Sequence, residues 1–565
     1  MIETNINESI FRQTSAIDIL AFAKACLHDC FHRRGTRSVL ASNDLYSCPP
    51  LERVNVTIRT HGRLRGSMSA QGDNLGAQIK GAIASASRDK RFHSRLSFIE
   101  LDQANVEIWL QSGSERVSAD AIAGGRFIEL GVDGVEINFG DKSAYFKPSV
   151  ATTSGKRTID ALMSSLCHKA GLAMDAWKDQ EATILRTKWI SISDGSTGLV
   201  SPHVLSMSNI DNGTILRWLH DSVHFLINSR QAFGDFTYLY DPIKDIEIIR
   251  SENRVRSAGC LYSLSCFYDS PHCLPSDISF ENGLMAIASA QAGRTIEWEG
   301  HGRVVPEPKS ADLPKMGATA LLALALGGER LLQHFKNPYD GLFESVTRAQ
   351  MASGRFQTHL GSDVENMRSS EFFSGQALLT LVQRAERGVC EAVDRCATGF
   401  AAYRHQFLTN PTSAFVGWHV DVWSRMAQLT KRSEYAEFAF HQADWLLKMQ
   451  IHSAPEATWI GGFSASDQMP KYSSVVFLEA IAKAYILAKY VGDSERIEQY
   501  RFAVQLGIRF CERLRISDNQ MAWFPNPQRS RGGVALSPLD KRVRCDVSQH
   551  FITLCLTLLQ AEDIV

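Results

Sequence analysis

Up to about residue 200, apolar and polar positions alternate with period two, as in Val54-Asn55-Val56-Thr57-Ile58, a pattern that predicts half-buried strands. Beyond it the apolar positions recur with helical spacing. Helices are expected over 207–228, 252–267, 281–293, 313–326, 328–336, 370–386, 389–406, 412–429, 433–450, 472–490, 494–514 and 542–560. Twelve helices make six hairpins, the number that closes an (α/α)6 toroid. The predicted fold class is therefore an α+β N-terminal domain, 1–200, followed by an all-α toroid, 205–565. The boundary falls between about 190 and 210, at the turn-rich Asp194-Gly195-Ser196-Thr197-Gly198.

Connections from an even-numbered helix to the next odd one are mostly short, as at 387–388, 430–432 and 491–493. Most odd-to-even connections are long: 229–251, 294–312, 337–369, 451–471 and 515–541. The long loops thus gather on one rim, where function is expected. Even-numbered segments such as 318–326 and 551–559 are apolar nearly all round and read as inner helices. The odd-numbered 494–514 carries Glu495, Arg496, Glu498, Arg501 and Arg509, a solvated outer face. Inner helices then begin at the long-loop rim and turn their N-termini toward the cleft, an arrangement that suits acidic substrates.

Charge narrows the partners. With 60 Lys plus Arg against 61 Asp plus Glu, the chain lacks the basic excess of a nucleic-acid binder. The first twenty residues are polar, and no run of about 18 apolar residues follows, so neither a leader nor a membrane span is expected and the reading is cytoplasmic. Twelve cysteines without paired short spacings fit reduced thiols. In Cys26-x-His28-x-Cys30-x-His32 the two cysteines share one helix stripe with Phe22, which reads as core, so no metal site is assigned. GxGxxG before a helix, GxxxxGK[ST], HExxH and GxSxG are all missing, and no cofactor is expected.

The run Leu64-Arg65-Gly66-Ser67-Met68-Ser69, with Leu166-Cys167-His168-Lys169-Ala170-Gly171-Leu172 and Trp177 about a hundred residues on, resembles the AMMECR-type family of small α/β proteins. Asp89-Lys90-Arg91-Phe92, Val106-Glu107-Ile108, Gly131-Val132-Asp133-Gly134 and Pro148-Ser149-Val150-Ala151 continue the likeness in order, over roughly 15–190. The resemblance implies the fold and transfers no settled chemistry. The family's Cys after LRG is Ser67 here, and a Ser hydroxyl is not activated without a base beside it. Arg65 is the candidate binding group of that loop, as a clamp for carboxylate or phosphate, set against an internal ion pair.

Over roughly 205–565, Phe236-Thr237-Tyr238-Leu239-Tyr240-Asp241-Pro242, Phe372-Phe373-Ser374-Gly375-Gln376, Gly461-Gly462-Phe463 and Trp523-Phe524-Pro525-Asn526-Pro527 resemble segments of helical-toroid carbohydrate enzymes, the unsaturated glucuronyl hydrolases and sugar 2-epimerases. Several such proteins have Glu where Gln376 stands, so no general acid is carried to that position. On the last helix Arg542, Asp546, Gln549, His550 and Thr553 form a polar stripe on an apolar cylinder, and Asp546 is placed to orient His550 one turn away. Trp418-His419-Val420-Asp421 sets an aromatic plane beside a carboxylate. Glu479 joins Asp421, Asp546, His419 and His550 as candidate catalytic groups. Trp418, Tyr238, Arg256, Tyr472, Phe463, Asn526 and Arg544 are candidate substrate contacts. Two readings stay open: an enzyme acting by hydrolysis or epimerisation on a polar, carbohydrate-like or anionic small substrate, with His419 opposed to His550 for epimerisation, or a silent scaffold beside radical or redox partner enzymes of a pathway. Peptide modification with zinc is a third reading, for which the Cys and His residues are not grouped. Oligomeric state is not legible.

Overall fold

The computed structural model describes residues 15–31, 43–92, 96–123, 127–194, 210–248, 253–274, 277–300, 302–309, 312–362, 364–454, 456–466 and 468–564. Most of the expected boundary segment, together with His32, lies outside the described residues.

The N-terminal region is built on one antiparallel six-stranded sheet of β1 (Val54–Thr60), β2 (Arg63–Ser69), β3 (Ala104–Val117), β4 (Gly134–Phe139), β5 (Lys142–Phe146) and β6 (Thr183–Ser193), in the order β2-β1-β3-β6-β4-β5. Period-two alternation sorts its faces. Val54, Val56 and Ile58 of β1, with Val106 and Ile108 of β3, pack under α1 (Ala16–Asp29) and α2 (Leu75–Ala86). Asn55, Thr57 and Arg59 point to the other face, paired in register with Trp109, Glu107 and Asn105. Gly66 is obligatory in β2, because a Cβ there would stand 1.9 Å from the Ala86 carbonyl oxygen of α2. A second core under α3 (Ile159–Lys169) gathers Val135, Ile137, Leu162, Leu166 and Trp177. The sheet curls until its two edges meet through side chains, Ser69 Oγ of β2 lying 2.8 Å from the Tyr145 hydroxyl of β5.

The helical region alternates outer and inner helices: α4 (Asn212–Asn228), α5 (Arg254–Asp269), α6 (Ile278–Gly293), α7 (Met316–Leu326), α8 (Glu329–Arg348), α9 (Met367–Ala385), α10 (Cys390–Thr409), α11 (Ser413–Thr430), α12 (Ser433–Leu447), α13 (Ser473–Val491), α14 (Ser494–Leu514) and α15 (Cys545–Ala561). The inner helices α5, α7, α9, α11, α13 and α15 each contact the next, and α15 returns to α5, which closes the ring. Short links make each inner helix an antiparallel neighbour of the outer helix that follows it. The first outer helix, α4, therefore packs on the last inner one, α15, and the two ends of the region lock the circle.

One element departs from expectation. The helix read as 328–336 runs on to Arg348, with Pro338 inside it and a kink at Phe335 (φ −121°, ψ 28°). Asn337-Pro338 reads as a breaker because proline removes an amide donor and clashes with the preceding turn. The kink absorbs that clash, and burial of Leu331, Tyr339, Leu342 and Val346 holds both halves in line, so the long loop shrinks to 349–366.

The curled sheet rests on two of the long loops. Trp523 Nε1 donates to Glu107 Oε1 at 3.0 Å, Thr458 Oγ1 donates to Glu129, Arg157 pairs with Asp540 at 3.1 Å, and Leu539 enters the core under α3.

Candidate functional site: the ring axis

Inner helices in a closed ring must be apolar where they touch one another, so each polar side chain on them turns toward the axis or needs a buried partner. On α11 Trp418, Asp421 and Arg425 stand at i, i+3 and i+7, and on α13 Glu479 and Lys483 at i, i+4, one stripe on each helix. These stripes meet. Lys483 Nζ donates to Asp421 Oδ2 and to Glu479 Oε1, each at 2.7 Å, and Glu479 Oε2 lies 2.9 Å from His550 Nδ1 on α15. The Trp418 ring meets the His550 ring edge-on at 5.5 Å, and Tyr262 of α5 stands 6.3 Å from Trp418. Burial alone raises the pKa of Glu479. The Lys483 ammonium and the His550 hydrogen bond outweigh it and hold the carboxyl at about 2. The same carboxylates drive Lys483 above its ordinary value against its own desolvation.

Above this level, at the starts of α5 and α15, lies a second cluster. Asp546 accepts from Arg256 Nε at 2.8 Å and from Arg544 Nε at 2.9 Å. Burial raises its pKa, but the bonded Arg544 and the charge of Arg256 hold it below the usual carboxylate value. The Arg256 guanidinium lies 4.8 Å from the Tyr238 ring centre and that of Arg544 4.5 Å from Tyr472. Below, a cavity of about 350 Å³ extends from Asp421 and Lys483 past Tyr262, Thr553 and Arg425 to the C-terminal ends of the inner helices. Arg425 Nε there donates to Glu386 Oε1 at 2.7 Å.

Two expected relations are corrected. Asp546 does not orient His550. It lies in the first turn of α15, where the guanidiniums of Arg256 on α5 and of Arg544 just before α15 claim its oxygens, and Glu479 takes its place from across the axis. His419 does not oppose His550. One residue past Trp418 it is turned about 100° around the helix, out of the axis. It is fully buried, stacked on Phe415 at 3.6 Å with Nε2 2.8 Å from Ser374 Oγ, and burial pushes its pKa well down.

Trp418, Asp421, Glu479 and His550 come together along the axis, with Tyr238, Arg256, Tyr472 and Arg544 at its rim. Phe463 is core, packed on Phe477 at 5.9 Å. Asn526 is exposed in the stretch that abuts the sheet, where Gly62 closely approaches the backbone of Phe524 and Pro525. Arg65 pairs internally, its Nε 3.1 Å from Glu100 Oε1. Lys483 and Arg425 were missed, although a lone cation one turn after an acid on an apolar inner helix is a legible signal. Among the described residues no three His, Cys, Asp or Glu gather to hold a metal, and no helix is long and apolar enough to cross a membrane.

Residues 22–189 match the model of the family described as AMMECR1. A protein of Methanocella arvoryzae, named only as a protein, is 31% identical over 136 residues, 23% of this chain and 68% of its own length. The structure is similar to D-mannose isomerase, at 13% identity over 63% of this chain and 99% of that one, with a TM-score of 0.45. It is also similar to an α-1,6-mannanase of Salegentibacter sp. HEL1_6, at 11% identity over 62% and 100%, with a TM-score of 0.43. These are likenesses of helical architecture and assign no chemistry.

Proposed function

In a chain that belongs to the AMMECR1 family through residues 22–189, we propose that the helical ring is an enzyme acting on a small, polar, sugar-like substrate by proton transfer, with His550 as the acid/base group. The observation that carries this reading is the 2.9 Å contact of His550 Nδ1 with a Glu479 that stays ionised. A carboxylate there accepts a hydrogen bond from Nδ1–H, sets the tautomer and leaves Nε2 as the basic atom. Glu479 acts through His550 and is a positioning residue. Trp418 and Tyr262 offer aromatic walls for a sugar ring, while Arg256 and Arg544, balanced by the single carboxylate of Asp546, suit an anionic substituent.

With His419 turned away from His550, a one-base isomerisation that moves a proton between neighbouring carbons fits better than two-base epimerisation or glycosidic hydrolysis. Hydrolysis needs a carboxylic acid that keeps its proton near neutral pH. Glu479 and Asp546 are instead ion-paired and held below their ordinary values.

Incubation of the full chain in D2O with a panel of aldoses, ketoses and their uronic acids tests this. Solvent deuterium should enter the carbon beside the carbonyl, and His550→Gln should abolish it. Release of reducing ends without exchange would favour a hydrolase. Saturable binding without turnover would favour a scaffold.

A further inference from the structure

The polar face of the curled sheet holds a second constellation, independent of the ring axis. Lys147, beside the end of β5, is buried and donates from Nζ to Thr57 Oγ1 on β1. Thr57 Oγ1 in turn lies 3.0 Å from Ser67 Oγ on β2, its cross-strand partner in the register. Thr57 is buried, whereas Ser67 is half-buried, so the chain of three groups runs from an enclosed amine to the least buried of the three residues. Asn55 Oδ1 accepts from Thr57 Oγ1 at 3.2 Å and from Ser67 Oγ at 3.4 Å, which keeps the two hydroxyls side by side. On the same face Asn55 Nδ2 donates to the Tyr145 hydroxyl at 3.1 Å, which leaves the phenol proton for Ser69 or for a ligand oxygen.

We propose that Ser67 is a nucleophile activated through Thr57 by the Lys147 amine, and that this second site accepts acyl groups from esters or thioesters. A hydroxyl needs a base to attack a carbonyl carbon, and the base comes from 80 positions along the chain. Ser67 Oγ bonds to the acyl carbon, its proton passes to Thr57, and the Thr57 proton passes to Lys147. The bond from the acyl carbon to the alcohol or thiol breaks, and the leaving group takes up that proton. Water then cleaves acyl-Ser67 to the free acid. The phenol of Tyr145 is the donor at hand for the oxyanion.

The amine can serve only when neutral. Its surroundings are Glu107 at 3.7 Å, Arg59 beyond that carboxylate at 4.0 Å from it, and Lys169 farther off. Burial, helped by Arg59 and Lys169 and opposed by Glu107, lowers Lys147 to about 8. Glu107 is itself fixed by Trp523 of the ring, so the full chain is the object to assay.

The probe is p-nitrophenyl acetate, followed by intact mass and peptide mapping. Acetylation is expected at Ser67, with a rate that rises through a midpoint near pH 8. Ser67→Ala should abolish it, and Thr57→Val should slow it about a hundredfold. Lys147→Arg keeps a cation beside Glu107 but supplies no neutral base, and should slow it similarly. Label at Ser69 or Lys169 in place of Ser67, a flat pH profile, or an unchanged rate in Thr57→Val that retains the native circular dichroism would overturn the proposal.

Discussion

The ring and the curled sheet both enclose charged groups, and they tune them in opposite ways. Along the ring axis each acid faces a cation: Glu479 and Asp421 share Lys483, Asp546 holds Arg256 and Arg544, and Glu386 holds Arg425. Pairing dominates there and holds Glu479 and Asp546 below their ordinary values. On the polar face of the sheet, Arg59 and Lys147 share one carboxylate, Glu107, so desolvation dominates and an amine falls to about 8. On the roles proposed above, one region prepares a base by fixing a histidine tautomer, the other by lowering the pKa of a lysine.

The sharpest break of this comparison is Lys483→Met, which leaves Asp421 and Glu479 buried without their cation. The loss expected is about 3–5 kcal/mol in denaturant unfolding, the range for stripping one partner from a buried pair. A near-neutral result would mean that water already screens the axis. Glu479→Gln separates function from fold: deuterium exchange should fall by about two orders of magnitude or more, and the 15N shifts of His550 should show a mixture of tautomers. In Asp546→Asn those shifts should stay unchanged, while KM for anionic substrates changes with little effect on kcat.

Separated expression comes next. We propose that 1–200 and 205–565 fold apart, each with a cooperative transition. The first should melt at a lower temperature than in the full chain, because Leu539 no longer closes the core under α3. Failure of both pieces to unfold cooperatively would make the regions one unit.

The pH response of stability should carry the same sign in two separate windows, an acidic one from the ring and an alkaline one from the sheet. Glu479 titrates at about 2 in the fold against an ordinary 4.5. Its contribution is complete above 4.5 and lost as pH falls toward 2, because the unfolded chain binds the proton first. Lys147 titrates at about 8 against 10.5. The unfolded chain again holds more protons between these values, so stability gains as pH rises through that window, a gain Lys147→Met should erase. The smallest effect is expected at the contact between regions. Burial, with Asp133 beside it, raises Glu129 to about 8, so it is protonated at pH 7 and Glu129→Gln should be near neutral there. Above pH 8 the same substitution should stabilise the contact with Thr458.

Much of the architecture was legible because it rests on local patterns. Alternation at Val54-Asn55-Val56-Thr57-Ile58 set β1 and its two faces, and the apolar run 318–326 marked an inner helix. Short links at 430–432 and 491–493 announced which helices are neighbours. At the axis, residue types and helix faces were also readable, since Trp418, Asp421, Glu479 and His550 are polar or amphipathic intrusions on apolar cylinders. Pairings across the ring were not. Spacing within α15 suggested Asp546 for His550, and only closure of the ring brought Glu479 nearer and turned Asp546 to the guanidiniums. The same holds for Ser67: the sequence determined that it follows Leu64-Arg65-Gly66, with no base in its own loop. Curling of the sheet decided that Thr57 and Lys147 stand behind it, because hydrogen bonds form between groups adjacent in space and periodicity reports only neighbours along a single element.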